Sequence, residues 1–485
     1  MSALGREGAV YALGNVLSRL GGFILLPLYL SVLTPSEYGV LEMFYTTSAL
    51  LAVFISGGLA QATLRFYFEY QDEGDRRAVI TTAIAAAAGF SGITAAVLWS
   101  FAEPASALLV GTPYYASSLQ IILLTLVVQL TSEVGLNFLR VKNYAWQYVI
   151  ASSGQLVLQV VINIITVAKL HWGVPGVLLG NLLGAAASGT VVVWMAIAEC
   201  GLACSTTKLI KMLRYTWPMV VAGIAAVVLS RADRFILQNM LGLEAVGIYA
   251  LAEKLAMIFA VGFLQPFRLA YGAYRFAIIR DADRASLQRQ VLRFYLIVAC
   301  LLGLVTVVSI PPLLKLVSRE AYWSAAGLLP ILILRNVMSG AEYVFQTGLL
   351  YAKQTRYVMV IQVASGVLRI AVTLALVGAI GVTAPAYAAL LGMSVAAIAS
   401  MFVSRRYDPV DWDLVAIGKI MVITVACLAL VEIANGRVIT TMSIVFVFLG
   451  SGVLAKVLSG AEMRAAFRAA ADWVRRQRSG TAGDP

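Results

Sequence analysis

Apolar residues run through this chain in stretches of about twenty, each closed by a short polar break. A helix that crosses a bilayer needs about 20 apolar residues. The stretches predict fourteen spans: 8–31, 38–62, 79–101, 117–139, 147–168, 176–198, 215–239, 246–267, 291–315, 325–349, 357–379, 385–403, 413–432 and 439–458. The last two can be read as two spans or as one re-entrant pair. The breaks are short, and the longest outer one runs from Glu103 to Ala116, which leaves no room for an extracytoplasmic domain. Arg19 interrupts the first stretch and no small-x-small cleavage site follows, so residues 8–31 read as a membrane helix rather than a cleaved signal.

Composition agrees with the pattern. Of 485 residues, 61% are hydrophobic and 12% are charged. Soluble domains run near 45–50% apolar and 25% charged, so a soluble fold and a disordered chain are both excluded. The net charge of +12 would suggest nucleic acid in a soluble protein. Here it belongs to loops that face anionic lipid, and no nucleic-acid partner is expected. With the N-terminus inside, the outer side holds only Lys169, Lys315, Arg319 and Arg437, while the other side collects clusters such as Arg280–Arg293 and Arg464–Arg478. That asymmetry places both termini in the cytoplasm. Four cysteines and one histidine supply too few ligands for a usual metal site or a disulfide framework. No G-x-x-x-x-G-K-[ST] loop occurs. Neither metal nor cofactor is expected, and no catalytic set stands out.

The chain repeats itself. Leu33-Thr34-Pro35-Ser36-Glu37-Tyr38-Gly39-Val40, between spans 1 and 2, is echoed by Leu241-Gly242-Leu243-Glu244-Ala245-Val246-Gly247-Ile248, between spans 7 and 8. Gly58-Leu59-Ala60-Gln61 returns as Gly262-Phe263-Leu264-Gln265. Six spans, an even number, separate the copies, so the repeats are parallel and related by an axis along the membrane normal. The expected architecture is an all-α membrane protein with two six-helix lobes around a central cavity. Residues 1–213 form the first lobe, 214–404 the second, 405–459 two additional helices and 460–485 a basic tail.

Ionisable groups inside spans are costly and therefore mark candidate chemistry. Arg19 lies mid-span on a small and polar stripe with Gly8, Ala12, Asn15 and Gly22 and has no partner at its depth in span 2, where the level residues are apolar. It reads as an anion-facing cation. Span 7 carries Arg231, Asp233 and Arg234, and span 8 carries Glu253 and Lys254. Pairs such as Arg231 with Glu253 or Asp233 with Lys254 are level with each other. In spans 10 and 11, Glu342 and Arg369 share a depth and are expected to pair, which leaves Arg335 as a second unpaired cation. Glu133 and Glu42 have no obvious partner. Together with Asp233 and Glu253 they are the candidates for carrying a coupling ion. Within the spans cations outnumber acids, the opposite of what a pump for cationic drugs needs.

Asn15-x-x-Ser18-Arg19, then Pro27-Leu28-Tyr29 and Leu33-Thr34-Pro35-Ser36-Glu37-Tyr38-Gly39, resembles the opening of Wzx-like polysaccharide flippases of the multidrug/oligosaccharidyl-lipid/polysaccharide (MOP) exporter superfamily. Asp233-Arg234-Phe235 with Gly247-Ile248-Tyr249-Ala250-Leu251-Ala252-Glu253-Lys254 is similar to that family's second lobe. The resemblance implies a non-enzymatic transporter in the bacterial inner membrane. Its implied substrate is an undecaprenyl-diphosphate-linked oligosaccharide, passed from inner to outer leaflet by alternating access. It also implies membrane lipids, a glycan polymerase and export components as partners, and a cationic cavity to which Arg19 is carried over. Asn15, Arg231, Arg234, Arg335 and Arg369 join that cavity from the charge pattern. The rivals are a small-molecule or drug antiporter of the same fold and a non-transporting member of a polysaccharide assembly complex. A membrane-embedded glycan polymerase is disfavoured because it needs a sizeable outer loop.

Overall fold

A computed structural model of the chain describes residues 22–433 and Phe448. Asn15 and Arg19, most of the first expected span, the span 439–458 apart from Phe448, and the basic tail lie outside the described residues. Among the described residues every regular element is helical. Ten helical stretches there are long and apolar enough to cross a membrane. Two of the expected spans, 357–379 and 385–403, share one such stretch, Thr355–Ser404. The expected span 215–239 lies inside the 36-residue helix Thr206–Leu241, which is not among the ten. The helix count is compatible with fourteen spans.

The chain forms two compact units, Met1–Gly247 with Val317–Ala321, and Ile248–Leu316 with Tyr322–Pro485.

In the first unit, α1 (Leu26–Val32) leads into α2 (Pro35–Ser56). Thr34 caps α2 by accepting from the Glu37 N–H, and Glu37 takes the Thr34 N–H in return at 2.8 Å. With Pro35 at the first helical position, this fixes where α2 starts. Gly57 (φ 53°) and Gly58 (φ 67°) then stop it. Two successive left-handed residues are cheap only for glycine, so the expected span 38–62 is a broken helix that resumes as α3 (Leu59–Glu69).

Asp72 caps α4 (Glu73–Ser100), which is followed by α5 (Ala102–Val110) and a 3₁₀ turn at Pro113–Tyr115. The segment expected as the longest loop is thus mostly helical. The unit continues with α6 (Ala116–Val141), α7 (Ala145–Asn163, prolonged by the π-turn Ile164–Lys169), α8 (Gly173–Cys200) and α9 (Thr206–Leu241). Small residues let α6 and α8 approach closely. A Cβ on Gly135 would lie 2.9 Å from Val192, and one on Gly189 would collide with the Ser132 hydroxyl. One apolar core, including Leu59, Phe66, Val79, Phe138, Val192 and Met212, ties α3, α4, α6, α8 and α9 together. Beyond the end of α6, Lys142 bridges Glu199 at 2.9 Å and Glu73 at 3.1 Å. The hydrogen bond to Glu199 holds its ammonium pKa above the ordinary lysine range.

The two repeat copies meet inside this unit. A Cβ on Gly39 would collide with the carbonyl oxygen of Leu243, and one on Gly247 would collide with that of Pro35. Pro35 and Leu243 are equivalent positions of the repeat, as are Gly39 and Gly247. The contact is therefore reciprocal, as a two-fold relation demands.

In the second unit, α10 (Leu243–Phe259, entering from the first) passes through a π-turn at Ala260–Leu264 into α11 (Gln265–Ala277). Then come α12 (Arg284–Val317), α13 (Leu329–Phe345), the short α14 (Thr347–Tyr351), α15 (Thr355–Ile380), α16 (Ala384–Ser404) and α17 (Leu414–Ile433). α16 packs on both α13 and α15. Gly392 of α16 lies against the Ser365 carbonyl and Gly340 of α13 lies under Tyr295. Asp408, 4% exposed, accepts from Arg284 at 3.1 Å and from Gln288 at 3.1 Å, pinning the turn after α16 to the start of α12.

Candidate functional site

Helix rotation decides where each charged side chain of a span can point. In the first unit, Glu42 on α2 and Asp233 and Arg234 on α9 are buried together, at 8%, 3% and 5% exposure. Arg234 Nη1 lies 3.2 Å from Asp233 Oδ1, and its Nε lies 3.9 Å from Glu42 Oε2. Arg234 is thus held between two carboxylates, while Arg231, half-buried one turn earlier, makes no ion pair among the described residues. Glu133 stands exposed on α6 and also has no ion pair among them.

Beside Glu42 runs a polar chain that spacing did not reveal. Tyr45 Oη accepts from Asn181 at 2.7 Å, and the Gln159 amide donates to Asn181. Asn163 donates to the Gln159 carbonyl at 2.8 Å and accepts from Tyr29 at 3.3 Å. These bonds join α1, α2, α7 and α8 inside an apolar setting, where a satisfied polar network fixes one packing arrangement. The only signal for it in the sequence is the recurrence of Asn and Gln within apolar runs.

The second unit gathers its own cluster. Glu253 Oε1 on α10 lies 3.4 Å from Arg335 Nη1 on α13 and 3.7 Å from Arg369 Nη2 on α15. Tyr249 donates its hydroxyl to the same oxygen at 3.2 Å and accepts from Arg369 at 3.4 Å. Asn336 accepts from Arg335 at 2.9 Å and donates to the Ala256 carbonyl at 3.1 Å. The side chains of Glu253, Arg335 and Arg369 are 17%, 24% and 15% exposed. Three helices thus place two guanidiniums on one carboxylate oxygen, and the three groups alone carry one excess positive charge.

This arrangement corrects one expected pairing and one expected lack of a partner. Arg335 has a partner, because Glu253 reaches it from a helix outside its own hairpin. Glu342 does not pair with Arg369. It accepts instead from Gln362 at 3.1 Å, Ser400 at 3.2 Å and Gln346 at 3.3 Å. Equal depth brought Glu342 and Arg369 level, but their helix faces diverge. Tyr249 and Asn336 were missed, although each adjoins a residue already singled out: Tyr249 lies one turn before Glu253, and Asn336 follows Arg335.

No described group of three or more His, Cys, Asp or Glu could hold a metal. Nothing in the described arrangement is a nucleophile–base pair.

The fold is that of membrane transporters of the MOP superfamily. An inward-facing multidrug-resistance MATE family transporter of that superfamily shares it, with a TM-score of 0.66 at 14% identity over 80% of this chain and 93% of that one. The lipid II flippase MurJ, in an inward closed conformation, shares it with a TM-score of 0.66 at 13% identity over 92% of this chain and 99% of that one. A MOP superfamily transporter from Pyrococcus furiosus, described as having a binding pocket of reversed polarity, matches with a TM-score of 0.52 at 14% identity, covering 82% and 92%. These folds are those of transporters and a flippase, not of enzymes. Residues 4–271, more than half of the chain, match the polysaccharide biosynthesis protein family, and the chain belongs to that family. A sequence search of curated proteins finds no match.

Proposed function

We propose that this protein is a flippase that carries undecaprenyl-diphosphate-linked oligosaccharide from the inner to the outer leaflet of the bacterial inner membrane, with both its termini in the cytoplasm. The observation that carries the reading is the Glu253 cluster. Two guanidiniums from two different apolar helices share one carboxylate oxygen, an arrangement suited to a diphosphate. Arginine binds phosphate oxyanions through paired N–H donors. Glu253 then acts as a resident counter-anion that holds Arg335 and Arg369 in place when no substrate is bound and competes with the diphosphate at release. Arg231 adds a cation in the first unit, and Asn15 and Arg19 are assigned to the same role. Glu42, Asp233 and Glu133 remain the carboxylates for any proton or sodium exchange. Membership of the polysaccharide biosynthesis family supports the substrate class, and the fold shared with a lipid II flippase supports the reaction. The scheme has no cofactor.

The test is the sidedness of lipid-linked oligosaccharide in cells depleted of this protein. It should accumulate on the cytoplasmic leaflet and be cleared by the wild-type protein. The double variant Arg335→Gln/Arg369→Gln, present at normal level, should fail to clear it. Unchanged sidedness, together with dye efflux by the wild type, would replace this reading with a small-molecule antiporter.

A further inference from the structure

We propose that Arg268, Arg275 and Tyr343 form a second anion site, on α11, that takes a phosphate group carried by a lipid. The proposal rests on the flippase reading only for the source of that lipid. It starts from an unbalanced charge. Arg275 is 8% exposed, yet its Nε and Nη1 have no hydrogen-bond partner. Arg268 donates through Nη2 to the Ser339 hydroxyl at 2.7 Å and to the Ser339 carbonyl at 3.1 Å, but its Nε is also buried without a partner. Neither arginine makes an ion pair among the described residues. Buried donors on a charged group are normally satisfied, and an orphaned one calls for a missing acceptor. Glu342, next to Tyr343, is already occupied by Gln346, Gln362 and Ser400.

The geometry converges. Both guanidiniums lie over the Tyr343 ring, with centroid distances of 5.4 Å for Arg268 and 4.6 Å for Arg275. Gly272 sits between them on the same helical face, one turn from each. A Cβ there would lie 3.0 Å from Tyr343 Oη, so the missing side chain lets the phenol rest between the two arginines. That hydroxyl has no hydrogen-bond partner among the described residues. Arg268 Nε and Arg275 Nε and Nη1 thus lie beside the Tyr343 ring with no acceptor among the described residues.

The helix reaches this rotation through the π-turn Ala260–Leu264, which precedes Pro266. Proline has no N–H and crowds the preceding turn, and one inserted residue rotates the remainder of the helix by roughly 100°. Elsewhere on α11, Leu269 and Phe276 are 79% and 49% exposed, an apolar surface suited to lipid chains. A charge-rich segment, Arg280–Arg284, comes directly after. A headgroup phosphate can therefore reach the arginines while its chains stay in the bilayer.

The test is the thermal stability of the full-length protein in neutral detergent, titrated with inorganic pyrophosphate, farnesyl diphosphate or dihexanoyl phosphatidylglycerol. A ligand that binds only the folded state raises the melting temperature. The wild type should be stabilised, and Arg268→Gln and Arg275→Gln should each weaken the apparent affinity at least tenfold. Arg275→Lys keeps the charge and should lose less, which guards against a folding defect. Tenfold preference for farnesyl diphosphate over phosphatidylglycerol would make the ligand the transported diphosphate, and equal affinities would make it a phospholipid headgroup. No stabilisation of the wild type by any probe would overturn the proposal. So would unchanged affinity in both glutamine variants with melting temperatures near wild type. Loss confined to Arg335→Gln would also overturn it, leaving the Glu253 cluster and the flippase reading intact. Loss in Arg275→Gln alongside normal oligosaccharide sidedness in depleted cells would instead sink the flippase reading and leave this site standing.

Discussion

Glu253 is the shared acceptor of the cluster in the second unit. Its Oε1 takes Arg335, Arg369 and the Tyr249 hydroxyl at once. Replacing it by glutamine keeps an acceptor of the same shape and removes the competing charge. Glu253→Gln should bind inorganic pyrophosphate about tenfold more tightly, about 1.4 kcal/mol, and should move substrate more slowly because release loses its competitor. A binding titration beside a transport assay separates the two effects. Weaker binding in the glutamine variant would show that Glu253 organises the arginines rather than competing with ligand. Neither the shared oxygen nor the partner of Arg335 was legible in the sequence. Depth along a hairpin gives only the height of a side chain, and the ion pairs are set by which way each helix face turns. The same reasoning applies to Arg268 and Arg275, which end an apolar run: the turn of α11 buries Arg275 and half-buries Arg268.

Among the helices, the reciprocal approach of Gly39 to Leu243 and of Gly247 to Pro35, within the first unit, leaves no room for a side chain at either glycine. Gly39→Ala would drive a methyl group into the Leu243 carbonyl. Backbone cannot yield as a side chain can, so the helix ends must part. The cost should reach about 1–3 kcal/mol or more, as for overpacking in a core. Gly418→Ala, where a Cβ meets nothing within 4 Å, should be neutral or stabilising by about 0.5–1 kcal/mol. Melting temperatures of the two variants in one detergent check this, and an undisturbed Gly39→Ala would deny the close approach. The sequence showed the repeat that places Gly39 and Gly247 at equivalent positions, but not that the two copies touch. It did not announce the break at Gly57-Gly58, because a hydropathy run passes through two glycines without a mark. The expected outer loop at 103–116 proved mostly helical for a related reason: its one proline before Gly111, Pro104, falls in the first turn of α5, where proline does not break a helix.

For the molecule as a whole, the hydrophobic pattern was the most legible feature. Every expected span from 38 to 432 falls mainly on helix, the span 38–62 being broken at Gly57-Gly58, as expected where a bilayer forces backbone groups to be satisfied within the segment. The partners of buried charge were least legible, since they depend on neighbours distant in the chain. Moving an anionic headgroup outward across an inside-negative membrane releases about 2.3 kcal/mol per charge per 100 mV. In the proposed reaction the membrane potential acting on the diphosphate would thus supply a driving force even without an exchanged ion.

Purified protein in unilamellar vesicles, loaded with a fluorescent prenyl-diphosphate oligosaccharide and an impermeant quencher outside, tests the central claim most directly. The account predicts rapid exposure of the second leaflet's label in protein-containing vesicles and faster movement toward the positive side of an imposed potential. Both should be lost in Arg335→Gln/Arg369→Gln. Label that stays protected in vesicles holding folded wild-type protein, with or without a potential or a proton gradient, would contradict it.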